Sequence, residues 1–215
     1  MNKREKVGMF WLNNLIKTNK CSTIYGVDNF RLSNERTTTM YYTGVGLEKM
    51  SIEMMSTMSN AAIKLRQMGL VLRTGFDDGA WVAFWMGAKY GRKYDYISKK
   101  DVTTIALNIA KTFISENDKL AWDCMTQDAK DRYARNVMLV LGRNCISPSK
   151  FLLCWTPNGA ESSIHCNTYY GKTGYIGLFI KVARAYKIPV INLQRNDWQS
   201  KMDSFLDRIE RQRQH

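Results

Sequence analysis

Five short apolar runs, each separated from the next by helix-patterned sequence, constrain this chain more than any other feature. They lie at residues 40–45, 70–74, 94–97, 151–155 and 189–193. After the first run, Ile52, Met55, Met58, Ala62 and Leu65 recur at three- and four-residue steps behind Ser51, a side chain suited to cap a helix. Trp81, Phe84 and Trp85 belong to a second helical segment, over about 79–90. Residues 101–141 are mostly helical in pattern, with Ile105, Ile109 and Phe113 on one face and Tyr133, Val137 and Leu141 on another. A helix over 176–186 precedes the last strand, and Trp198, Met202, Phe205 and Ile209 space a C-terminal helix. Strands that alternate with helices build βαβ units, so the expected fold is α/β with a mostly parallel sheet and flanking helices. The unbroken run 151–155 suits a strand buried on both faces.

Residues 1–39 read separately. Met9, Phe10, Trp11, Leu12, Leu15 and Ile16 suggest a short amphipathic helix, and the polar stretch 32–39 suggests a loop. The expected organisation is an N-terminal arm over 1–39, packing on or extending from one domain over 40–215.

The order of elements locates a site. In a parallel sheet, ligands sit beyond the carboxyl ends of the strands. The turns at 44–46, 75–79 and 155–158, together with Leu193, should therefore share one edge. Two of the glycine-bearing turns stand out. Gly44, Val45 and Gly46 lead into the first helix, and Gly171, Lys172, Thr173 and Gly174 lead into the helix over 176–186. Glycines let the backbone approach a ligand, and a helix N-terminus offers N–H groups and a positive dipole end to an anion. Lys172 adds charge and Thr173 a hydroxyl. The segment is not a phosphate-binding Walker A loop, whose spacing and Lys-Ser/Thr ending differ.

Net charge points the same way. With 32 Lys+Arg against 19 Asp+Glu the chain carries +13, an excess that favours a polyanionic partner. No apolar run approaches the roughly 20 residues a membrane span needs, and no secretory leader is recognisable, so a cytoplasmic location is expected. The five cysteines, Cys21, Cys124, Cys145, Cys154 and Cys166, form no C-x-x-C pair, which argues against a disulfide framework or zinc site. His165 and His215 give no Ser-His-Asp pattern. Neither a metal nor a cofactor is expected.

Taken together, Tyr42-Thr43-Gly44-Val45-Gly46, Leu72-Arg73-Thr74-Gly75, Gly79-Ala80, Ala134-Arg135-Asn136, Cys154-Trp155-Thr156-Pro157-Asn158-Gly159, Gly171-Lys172-Thr173-Gly174 and Ile188-Pro189-Val190-Ile191-Asn192-Leu193 occur in an order that resembles a known group. It is similar to phage-encoded proteins related to the Rossmann-like domain of the DNA-processing A family. That domain belongs to a superfamily with the "Lonely guy" phosphoribohydrolases. The resemblance covers about residues 40–193. It implies a Rossmann-like fold with a nucleotide or phosphate pocket, single-stranded DNA binding as in one branch, or cleavage of a nucleoside monophosphate as in the other. Subunit pairing and a host-cell cytoplasm are further implications.

The departures from that pattern bear on chemistry. The phosphoribohydrolases carry a glutamate on the helix after the glycine-rich turn, whereas Tyr175-Ile176-Gly177-Leu178 holds no acid. Trp81 stands where related phage proteins show an acid after Gly-Ala, and Leu47-Glu48 stands where they show Ser-Arg. The leading expectation is therefore non-catalytic binding of a phosphorylated nucleotide-type ligand, for sensing or sequestration. Its expected contacts are Gly44, Val45, Gly46, Gly75, Arg135, Asn136, Trp155, Thr156 and residues 171–174. Arg135 would pair a phosphate and Trp155 would stack on a base. A single-stranded DNA-binding module is the alternative. A residual N-glycosidase using Asp77 or Asp78 is a third reading, and a purely structural role a fourth.

Overall fold

The computed structural model describes residues 39–75, 79–115, 122–162 and 175–213. The expected arm, apart from Thr39, lies outside them, as do Asp77, Asp78 and the turn at 171–174.

The alternation seen in the sequence is the alternation of the fold. β1 (Tyr41–Gly46), α1 (Ile52–Gln67), β2 (Val71–Thr74), α2 (Ala80–Ala88) and β3 (Tyr94–Tyr96) form the first half. A 3₁₀ turn at Tyr90–Arg92 joins α2 to β3. α3 (Thr104–Ser115) and α4 (Gln127–Leu141) then precede β4 (Leu152–Trp155), α5 (Ile176–Ala185), β5 (Val190–Asn192) and α6 (Trp198–Arg213). The strands form one sheet in the order β3-β2-β1-β4-β5, and every pairing is parallel. This is an α/β, Rossmann-like arrangement, as the strand–helix alternation requires.

Helices cover both faces. Strand side chains alternate, so Tyr42, Leu72, Leu153 and Ile191 pack under α1, α2 and α6. Val45, Leu152, Cys154 and Val190 face α3, α4 and α5. Burial on both faces explains why residues 151–154 are all apolar and all buried. Ser51 caps α1 as expected, its hydroxyl accepting from the Met54 N–H at 3.2 Å. The long helical region 101–141 divides into α3 and α4, and α4 is capped by Thr126, whose hydroxyl accepts from the Ala129 N–H.

Polar groups inside the core are tied down on the amino side of the sheet. The Thr43 hydroxyl donates to the Leu139 carbonyl at 2.6 Å and lies 2.8 Å from the Ser149 hydroxyl. Arg73, opposite Thr43 in the register, donates to the Ser147 carbonyl at 2.5 Å and lies over the Tyr41 ring. Burial lowers the Arg73 pKa from its usual value, and Asp95, 3.8 Å from Nε, opposes that shift. Among the described residues, no helix is long and apolar enough to cross a membrane.

Candidate ligand site at the carboxyl edge of the sheet

β1 and β4 are neighbours, yet β1 connects toward β2 on one side and β4 toward β5 on the other. The chain therefore diverges at their carboxyl ends, which is where open parallel sheets leave a crevice. A half-open cleft sits there, with Gly46, Gly75, Trp81, Leu139, Tyr175 and Phe179 among its walls and a volume of about 20 Å³. That volume holds about one water. The described residues thus form a narrow floor at the edge, not an enveloping pocket.

Two helix N-termini border this floor. Tyr175 stands at the N-cap of α5, and its side chain does not cap that end. Its hydroxyl instead donates to the Gly46 carbonyl at 2.7 Å, joining α5 to the end of β1 across the crevice. Gly79 precedes α2 and likewise supplies no side-chain cap. It adopts φ +88°, and a Cβ there would lie 2.5 Å from the Glu48 Cα. Only glycine lets the segment after β1 lie against the start of α2 in this way. At neither helix start does the N-cap residue itself supply a capping side chain.

The third contributor is Arg135. It lies on α4 and is 3% exposed, so the surface salt-bridge role common for arginine does not apply. Its guanidinium packs on Gly75 at the end of β2, with Cζ 3.1 Å from where a Cβ would stand. It donates to the Asn136 Oδ1 at 3.2 Å. One turn further along α4, Leu139 reaches the cleft. Arg135 thus places a buried positive charge beside the crevice, and Asn136 serves as its hydrogen-bond partner.

The remaining expected residues divide. Gly44, Val45, Gly46 and Gly75 do line the cleft. The missing side chains of Gly44 and Gly46, however, are used on the opposite side. A Cβ at Gly44 would lie 2.8 Å from Phe84 Cγ, and one at Gly46 would lie 2.7 Å from the Ala80 Cβ. These glycines bring α2 down onto β1. Trp155 is half-buried and donates from Nε1 to the Gln194 side chain at 2.9 Å. Thr156 is fully buried, and its hydroxyl accepts from the Ala160 N–H and from the Asn192 amide.

Asn192 is the centre of that cluster. Its amide donates to Thr156 and to the Ala160 carbonyl, and its Oδ1 accepts from the Gln194 N–H. Glu161 accepts from the Asn192 N–H at 3.0 Å and pairs with Lys201 at 2.6 Å. These contacts lock the turn after β4 to β5 and α6, which engages Thr156 and Glu161 in structure.

Sequence reading missed Tyr175, because a tyrosine just before a helix is no motif. It missed the Asn192 cluster for a related reason: its members lie far apart in the chain. Comparison with known proteins finds no matching family model, no similar curated protein and no similar solved structure.

Proposed function

We propose that this protein binds a phosphorylated nucleotide-type ligand, without catalysis, at the divergence of β1 and β4. The observation that carries this reading is convergence. The N-termini of α2 and α5, whose N-cap residues Gly79 and Tyr175 supply no capping side chain, and the buried cation of Arg135 border one crevice. Helix N-termini favour anions, and a guanidinium pairs a phosphate bidentately. Trp81, Phe179 and Tyr175 line the same cleft and offer apolar surface for a planar group beside the anion. The resemblance of 40–193 to Rossmann-like nucleotide-processing proteins supports the same ligand class.

A binding role suits the site better than hydrolysis. Among the described residues that line the cleft none is acidic, and Glu161 is held by Asn192 and Lys201. General acid–base cleavage needs a carboxyl group within reach of the bond it breaks.

The test is calorimetric titration of the full chain with nucleoside mono-, di- and triphosphates and cyclic nucleotides. Saturable binding of one class, with no free base released, is the expected result. No binding across the panel contradicts the proposal, and release of free base restores the hydrolase reading.

A further inference from the structure

We propose a second, independent site, for single-stranded nucleic acid, where α1 and α2 end beside the edge strand β3. The segment Lys89-Tyr90-Gly91-Arg92-Lys93-Tyr94 interleaves cations with aromatics, and no acid occurs from residue 79 to 94 or from 54 to 68. The fold joins these two stretches. Tyr90 is 64% exposed, and its ring is flanked by two cations: Arg66 Cζ at 5.6 Å from its centre and Lys89 Nζ at 5.1 Å. Lys89 also lies 5.1 Å from the Trp85 ring. The Arg66 guanidinium reaches the Tyr90 carbonyl at 3.5 Å.

The edge strand extends the patch. Tyr94 pairs with Leu72 in the register and so lies on the α1/α2 face, where it is 38% exposed. Asp95, the next residue, faces the other way and is held by Arg143 at 3.0 Å. The nearest acid of the segment is therefore withdrawn from the patch and neutralised. Many other described cations are paired: Lys64 of α1 with Asp203, Lys99 with Asp128, and Lys201 with Glu161. Arg66 and Lys89 have aromatic rings as neighbours and no ion pair among the described residues.

Helix dipoles account for a cation at the end of α1 and of α2. They do not account for two solvent-facing tyrosines set among those cations. Exposed rings that accept stacked bases, beside cations that track phosphates, are what a single strand requires, because its bases are open for stacking. A duplex keeps its base faces stacked on one another and shows only base edges and phosphates. This patch shares no residue with the crevice at the carboxyl edge, so its fate in a test is separate from that of the nucleotide proposal.

The experiment is fluorescence anisotropy of labelled oligothymidylate and oligouridylate of about 20 nucleotides with the full chain, a length that spans the usual single-strand site sizes. Tyr90→Ala should weaken binding about tenfold, while Tyr90→Phe should retain it. Lys89→Glu should weaken binding and lower the salt slope by about one, whereas the charge-matched Arg184→Glu on α5 should leave the slope near wild type. Circular dichroism checks folding, and the comparison of Lys89→Glu with Arg184→Glu keeps the test decisive if Tyr90→Ala unfolds. Preference for one oligonucleotide over the other names the nucleic acid and upholds the site. Absent binding, equal loss in Lys89→Glu and Arg184→Glu, equal affinities of Tyr90→Ala and Tyr90→Phe, or equal binding of polyglutamate would overturn it.

Discussion

The Tyr175 hydroxyl donates to the Gly46 carbonyl at 2.7 Å, so one hydrogen bond spans the divergence of the sheet and joins the start of α5 to the end of β1. The bond does two things. It satisfies a carbonyl at the end of a buried strand, and it holds the N-terminus of α5 at a set distance from the crevice floor. Tyr175→Phe removes the hydroxyl and keeps the ring. Stability should fall by about 0.5–1.5 kcal/mol, the net worth of one such bond, measured by urea unfolding. Nucleotide affinity should fall as well, since the anion site loses its spacing. An affinity change without a stability change would mean that the hydroxyl touches the ligand directly.

Arg135 is the charge that the proposed anion site relies on. Arg135→Lys keeps the charge but not the planar fork, so it should bind phosphorylated ligands about tenfold more weakly than wild type. Arg135→Gln should lose more. Both variants also disturb the contact with Asn136 and Gly75, so calorimetry is read alongside a thermal melt. Unaltered affinity in a folded Arg135→Gln protein would remove Arg135 from the site.

Gly44 and Gly46 separate packing from ligand access. Alanine at either position meets Phe84 or Ala80 at under 3 Å, and α2 must shift to make room. Each substitution should cost about 1–3 kcal/mol in chemical unfolding even with no ligand present. Were these glycines kept solely for a ligand, stability would hold and affinity alone would drop.

The architecture was readable because periodicity and burial coincide. The run 151–155 is apolar throughout because β4 has helices on both faces, and Ile52, Met58, Ala62 and Leu65 repeat because α1 presents one side to the sheet. The carboxyl edge followed from the parallel order. What the sequence concealed is which face of a residue does the work. Gly44 reads as a ligand turn, yet its absent Cβ admits Phe84. Arg135 reads as a phosphate partner on a helix, and nothing local shows that it lies in the half of α4, Ala134–Leu141, that is wholly buried. Thr156 reads as a contact and proves to be a hydrogen-bond partner of Asn192, a pairing across 36 positions that no local pattern encodes.

Tyr42 gives the fold a specific response to alkali. It is fully buried on Phe151, with ring centres 5.7 Å apart, and its hydroxyl has no hydrogen-bond partner among the described residues. Burial raises its pKa far above the usual value, which disfavours the phenolate in the folded state. The unfolded chain ionises near pH 10, so above that pH it binds fewer protons than the folded one, and stability falls as pH rises. Tyr42→Phe should flatten that alkaline loss. At neutral pH it should stabilise the protein by about 1–3 kcal/mol, because a buried unpaired hydroxyl is removed. Thermal melts of both proteins from neutral pH to about pH 11 check this, and parallel curves would show that Tyr42 is not the group responsible.

The measurement that tests the central claim most directly is native mass spectrometry of the full chain purified from cells, repeated after denaturation and after adding nucleotides. The account predicts a bound species, either carried through purification or taken up from the added panel, that denaturation releases with the mass of a phosphorylated nucleoside. A chain that remains bare in all three conditions contradicts a nucleotide site at the β1–β4 divergence.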